Sequence, residues 1–295
     1  MSDPLRPLRD RLRGEAQRQG VPLDVVEKDF ALGHVLASIY RGAELADVLV
    51  FKGGTALKKA YFGDYRFSVD LDFTAVAGPR GDELARRVAV VAAEAGRRLE
   101  EQGPFSVSSS RLPELRGHPG DQEAFRVLVQ FPWQRTPLCA IKLEITTDEP
   151  VMLPVEPRVL LHGYDEELEA TLCCYSLEEI VAEKLRTLRQ AEKRLEQGRW
   201  PRNCARDYYD LWRLLRQPVR QLDLEAAIAI LPTKCEVRGV TYRSADDFFS
   251  SGVLAEAARQ WNSSLAALVR PLPPFKATIG KLRGELAAAL PVAEA

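Results

Sequence analysis

Apolar positions change their period along this chain, and the change divides it. From Val25 to Ile39 (VVEKDFALGHVLASI) they recur at helical spacing with no interior proline, which predicts an amphipathic helix. Residues 46–51, ADVLVF, form a short β-branched run that reads as a buried strand or the end of a helix–strand connection. Lys52-Gly53-Gly54 breaks that run, and the segment from Thr55 to Tyr61 predicts the first turns of a new helix capped by Thr55. Residues 63–66 read as a loop, and 67–73 (FSVDLDF) alternate as a strand with Val69, Leu71 and Phe73 on one face. A charged helix over about 82–102 and strand-like runs at 105–109, 124–131 and 140–146 follow. From Ser176 onward the pattern is helical only: roughly 176–197, 203–216, 223–231, 244–250, 254–269 and 275–289. Mixed helix and strand followed by helix alone predicts an α+β domain and a separate helical domain, with the boundary between about 150 and 175.

Composition adds exclusions. The 295 residues are 46% hydrophobic and 28% charged, the profile of a globular protein. No run reaches the ~18–20 apolar residues of a membrane span. The first residues lack a basic stretch followed by an apolar one, so the chain is expected in the cytoplasm. Five cysteines without a Cys-x-x-Cys pair argue against a zinc or redox motif. His34, His118 and His162 stand far apart in sequence, which argues against transition-metal catalysis. Formal net charge is −1, yet residues 176–220 carry eleven basic and seven acidic side chains. Such a patch attracts phosphate, but solvated helix faces look alike, so it decides nothing alone.

The chemistry concentrates between residues 53 and 72. Asp70 and Asp72 sit at i and i+2 of a predicted strand, so both point to one face with Cα atoms ~6.5–7 Å apart. Two carboxylates so placed repel unless a cation lies between them, and a divalent pair there suits an in-line phosphoryl displacement. Mg²⁺ fits oxygen ligands of this kind while keeping water and substrate phosphates as the others. Glu144, on the polar face of Ile141-Lys142-Leu143-Glu144-Ile145, is a third metal ligand or a base if its strand neighbours the Asp70/Asp72 strand. Gly53 and Gly54 let backbone amides approach a ligand, and the Thr55 hydroxyl at a helix start suits a triphosphate. The plainer account makes the glycines a helix-entry turn and the aspartates a solvated strand edge. Cradle and clamp about fifteen residues apart form a stronger signal than either alone.

Phe51-Lys52-Gly53-Gly54-Thr55-Ala56-Leu57 and Phe67-Ser68-Val69-Asp70-Leu71-Asp72-Phe73 resemble the nucleotidyltransferase motif of the AbiEii/AbiGii toxin family, within the DNA polymerase β-like superfamily. Glu27-Lys28-Asp29-Phe30 resembles that family's N-terminal helix. The stretches from Ser176 to Arg186 and from Ala205 to Trp212 resemble its two helical motifs, so the likeness spans roughly residues 25–215. The resemblance implies a polymerase-β-like mixed sheet with flanking helices over 1–165 and a helical domain over 166–295 that completes the active-site cleft. It implies a toxin, paired with a cognate antitoxin, that moves NMP from an NTP with Mg²⁺ or Mn²⁺, and a tRNA 3′ end as the RNA acceptor. Carried over by position, Thr55, Asp70 and Asp72 fall in the first motif, Glu144 supplies the third acid, and Lys184 and Asp207 fall in the helical motifs. Fourteen residues separate Thr55 from Asp70, a long loop for this motif. Chemically, Lys184 suits a point charge on the triphosphate and Asp207 a group that orients Lys184 or the incoming hydroxyl; the alternatives are pairing with a helix neighbour for Lys184, and an N-cap or a salt bridge to Arg206 or Arg186 for Asp207. Asp210 and Glu183 read as structural, and Leu211, Trp212 and Leu215 as core. A protein or small-molecule acceptor on the same fold, or a non-catalytic nucleotide-binding interaction protein, are the competing functions.

Overall fold

The computed structural model describes residues 6–113, 122–200, 203–216 and 222–290. Its helices are α1 (Leu8–Gln19), α2 (Leu23–Arg41), α3 (Ala43–Ala46), α4 (Gly53–Ala56), α5 (Gly81–Leu99), α6 (Leu177–Glu196), α7 (Ala205–Leu215), α8 (Leu224–Val237), α9 (Ser251–Leu265) and α10 (Phe275–Ala289). Its strands are β1 (Leu49–Lys52), β2 (Asp70–Ala75), β3 (Ser106–Arg111), β4 (Gln122–Gln130), β5 (Cys139–Thr146), β6 (Glu156–Val159) and β7 (Thr171–Cys174). They form two compact units: Met1–Val151 with Val155–Cys174, and Tyr175–Ala295 with Met152–Pro154.

The first unit holds one mixed seven-stranded sheet in the order β3-β4-β5-β2-β1-β7-β6. β2 pairs parallel with β5, and β1 parallel with β7; the other neighbours are antiparallel. Alternation along β2, β4 and β5 turns Leu71, Phe73, Phe125, Val127, Ile141, Leu143 and Ile145 into the core. Phe51 and Phe73, opposite each other across β1 and β2, pack with ring centroids 5.2 Å apart. Helix α2 is buried along most of its length from Val26 to Ile39, which explains why its apolar stripe is so wide.

Several elements differ from the sequence reading. Helix α1 escapes it because its buried face has only three apolar residues, Leu8, Leu12 and Ala16, together with Arg11, in an otherwise polar segment. Strands β6 and β7 are four residues each, too short to show a period, and β6 includes Pro157 at the sheet edge. The helix after β1 starts at Gly53, with Lys52 as its N-cap, so Thr55 lies inside it and caps nothing. It passes directly into a π-helical turn, Leu57–Tyr61.

In the second unit, α6 is capped by Ser176, whose hydroxyl accepts the Glu179 backbone N–H at 3.2 Å. The Glu179 side chain is fully buried, bonds the amides of Met152 and Leu153 and pairs with Lys234 at 2.6 Å. Helix α8 runs through Pro232 to Val237, past the stop that the proline suggests.

Candidate active site

Strand β2 lies inside the sheet, and its two faces have opposite chemistry. Leu71 and Phe73 anchor one side with no exposed surface, while Asp70 and Asp72 stand half-buried on the other. Register decides what joins them, because residues directly opposite in a sheet point to the same face. Asp72 lies opposite Glu144 of β5 and Lys52 of β1; Asp70 lies opposite Lys142. The condition set for Glu144 is therefore met: its strand neighbours the aspartate strand. Glu144 Oε1 accepts from Lys142 Nζ and Gln122 Nε2, each at 2.7 Å, which fixes its orientation.

The glycine turn meets this face closely. Gly53 has φ +79°, a conformation side chains rarely adopt, and a Cβ there would lie 2.6 Å from Asp72 Oδ2. Gly54 faces the guanidinium of Arg66. Thr55 is buried, and its hydroxyl donates to the Asp70 backbone carbonyl, tying the helix start to the strand that bears the acids. Gly53, Gly54, Thr55, Asp70, Asp72 and Glu144 thus come together in one unit. The donor set of hard carboxylate oxygens, with room beside Asp72 that a Cβ would fill, suits a magnesium-type cation.

Lys184 and Asp207 belong to the second unit. There the buried Lys184 ammonium lies 3.1 Å from Asp207 Oδ1 and 2.6 Å from Asp210 Oδ2. Asp207 Oδ2 is buried and makes no hydrogen bond. Asp210 is thus a partner of Lys184, a relation the helical spacing alone left unread. Sequence reasoning also passed over Lys52 and Arg66, both buried beside the turn. Their only linear signal is that each flanks a motif: Lys52 the glycine pair, Arg66 the aspartate strand.

Two histidines far apart in sequence meet in the first unit. His34 Nε2 and His162 Nε2 lie 2.9 and 2.8 Å from one oxygen of Glu166, whose other oxygen is 3.4 Å from Arg11. The three groups are close enough to hold an ion. However, each imidazole's Nδ1 is buried with no partner, whereas a metal-bound imidazole normally donates its second N–H. Arg11 already supplies positive charge there. We read the cluster as a hydrogen-bond network that pins the 162–166 loop to α2. Burial pushes the His162 pKa down to about 4, so the ring is neutral at neutral pH. Glu166 is raised by burial, but hydrogen bonds from His162 and His34 outweigh this and bring it down to about 2.

A family model described as "Nucleotidyl transferase AbiEii toxin, Type IV TA system" matches residues 34–281. Among solved structures, the chain is similar to MenT4, nucleotidyltransferase toxin Rv2826c from Mycobacterium tuberculosis H37Rv. The TM-score is 0.66 at 24% identity, covering 95% of this chain and 88% of that one. It is also similar to a putative nucleotidyltransferase from H. pylori, with TM-score 0.50 at 19% identity, covering 88% and 94%. At these identities the likenesses speak for the fold, a mixed sheet with flanking helices. No curated protein matches the sequence. Among the described residues, no helix is long and apolar enough to cross a membrane.

Proposed function

We propose a specific reaction for this chain, which belongs to the AbiEii nucleotidyl transferase toxin family of type IV toxin–antitoxin systems: Mg²⁺-dependent transfer of NMP from an NTP to the 3′ end of tRNA. The family makes the chain a nucleotidyltransferase with an antitoxin partner. The metal, the acceptor and the cytoplasm as the place of reaction are our reading. The observation that carries it is the polar face of β2, where Asp72 stands opposite Glu144 and against Gly53, with Asp70 two residues before it on the same face.

Asp70, Asp72 and Glu144 would hold the divalent cation, which when bound neutralises triphosphate charge and acidifies the attacking hydroxyl. The Gly53–Gly54 turn leaves space for phosphate oxygens to approach backbone amides. Thr55, through the Asp70 carbonyl, keeps that turn in register with the acids. The acceptor hydroxyl forms a bond to the α-phosphorus as the bond to pyrophosphate breaks, and fixed charges around the phosphoryl centre supply most of the catalysis. In the second unit, Lys184 is our candidate phosphate-binding cation and Asp207 the group that orients it. The basic excess over residues 176–220 supports an RNA acceptor.

The test is incubation with each α-labelled NTP, Mg²⁺ and separated RNA, protein and small-molecule fractions. Label entering tRNA with release of pyrophosphate, and lost in Asp70→Ala, is expected. Equal labelling by wild type and Asp70→Ala ends the reading; label in another fraction moves the acceptor.

A further inference from the structure

We infer that Arg126 and Lys142 bind a backbone phosphate of the acceptor strand next to its reacting end, an inference that rests on the proposed reaction. One face of the sheet is covered. Helix α5 packs there: a Cβ at Gly96 would lie 3.6 Å from the Val107 Cβ, on the side that buries Val127, Val129 and Ile141. On the other face of the same strands, Ser106, Ser108, Ser110, Arg126 and Ala140 are exposed. Register aligns four residues of that face in a row across the sheet: Ser110 of β3, Arg126 of β4, Lys142 of β5 and Asp70 of β2. The row beside it runs from Ala124 through Glu144 to Asp72. The cation pair thus shares a face with the acids, and two strand spacings, about 10 Å of backbone, separate Arg126 from Asp70.

Two cations directly opposite each other in a ladder repel. Lys142 is held by Glu144 at 2.7 Å, but the Arg126 side chain has no ion pair or hydrogen bond among the described residues. Cations are common on edge strands, where they block pairing with other chains. That reason fails here, because β4 and β5 each have a neighbour on both sides. An anion over the row turns the repulsion into a shared contact, with the lysine as a point charge and the arginine offering two in-plane donors. Placement selects the anion. The glycine turn proposed for the triphosphate lies on the β1 side of Asp72, whereas Lys142 and Arg126 lie on the β5 side of Asp70. The acceptor strand therefore comes over β4 and β5, with its last phosphodiester on the cation row and its 3′ hydroxyl at the acids. Ala124, Ala140, Ser108 and Ser110 around the row are small, which leaves a strand room to settle on the sheet.

The experiment uses the full chain with Mg²⁺, α-labelled NTP and deacylated total tRNA. It measures kcat, KM for each substrate, and tRNA Kd over a range of salt. Arg126→Gln should raise KM and Kd for tRNA about tenfold, with kcat and the NTP KM within about twofold. The slope of log Kd against log salt should flatten by about 0.7, the loss of one phosphate contact to a single strand. Arg126→Lys should keep the slope. Lys142→Gln should also raise the tRNA KM and, because Lys142 holds Glu144, lower kcat. Arg86→Gln, an exposed position on α5, should change nothing. Arg126→Gln should not lower Tm, since one of two opposed cations is gone. An unchanged tRNA KM or salt slope in Arg126→Gln, a shift confined to the NTP, or an equal effect of Arg86→Gln overturns the inference. So does a loss common to both substrates that tracks a fall in Tm, the mark of a structural arginine. Wild type that labels no RNA sinks the proposed reaction itself, whereas wild-type labelling with an indifferent Arg126→Gln removes this phosphate site alone.

Discussion

Replacing Gly53 by alanine tests the link between backbone and chemistry most directly. The new methyl would lie 2.6 Å from Asp72 Oδ2 and 3.3 Å from its Cβ and Cγ, and ordinary contact starts near 3.4 Å. The carboxylate oxygen must therefore retreat by about 0.8 Å, and the neighbouring carbons leave little room for a simple slide. At φ +79° a side chain also costs about 1–2 kcal/mol of folding stability. For a unit of this size that lowers Tm by roughly 2–8 °C. On the proposed reaction, with Asp72 as a cation ligand, displacing that group by nearly an ångström costs about 100-fold in rate, so kcat/KM for NMP transfer should fall about 100-fold in protein that remains folded at the assay temperature. The assay pairs thermal unfolding with steady-state transfer, and includes Asp72→Ala with and without Gly53→Ala. In the Asp72→Ala background the glycine substitution should still lower Tm while costing almost no further activity. Full activity in folded Gly53→Ala, or an equal rate loss in both backgrounds, would refute the claim that Gly53 serves Asp72.

Lys184→Ala leaves Asp207 and Asp210 buried together without their shared cation, which should destabilise the protein by about 3–5 kcal/mol in urea unfolding. Its activity must be normalised to the folded fraction, and unchanged stability would show that the pair is not buried as described. His162 makes stability depend on pH: with a folded pKa of about 4 against 6.5 unfolded, the unfolded chain binds the extra proton between those values. Stability is therefore full above about pH 6.5 and declines by about 3 kcal/mol on acidification towards pH 4. Glu166, at about 2 against 4.5, loses its contribution between those values. His162→Gln should flatten the upper window, and an unchanged slope between pH 6.5 and 4 would reject the buried-neutral assignment.

How much of this was legible in the chain follows from how local each signal is. Helices α2, α5, α6 and α7 were readable because their inward faces repeat over three or more turns. The alternation in β2 needed only Leu71 and Phe73 against Asp70 and Asp72. What escaped was short or held by distant partners. β7 pairs with β1 only through Phe51 and Cys174, a contact that leaves no period to detect. The helix expected over about 223–231 extends to Val237, since Ile230, Leu231, Lys234 and Cys235 are buried on both sides of Pro232.

The glycine pair shows why part of the site stayed unread. The sequence offered a phosphate-approach turn or a plain helix-entry turn for the two adjacent glycines, and positive φ accounts only for Gly53. Gly54 is explained by Arg66, twelve positions further on and brought back by a loop whose course no periodicity announces. Glu144 lies farther away still, 72 residues beyond Asp72, and reaches it only because β2 and β5 pair in parallel. His34 and His162 show the same effect in reverse: they stand far apart in sequence, which argued against transition-metal catalysis, yet they share one carboxylate. Spacing along the chain thus identifies the residues that a single strand or turn presents. The side chains brought around them, Lys142, Arg66 and Glu144, are placed by sheet register and loop return, which no local period announces.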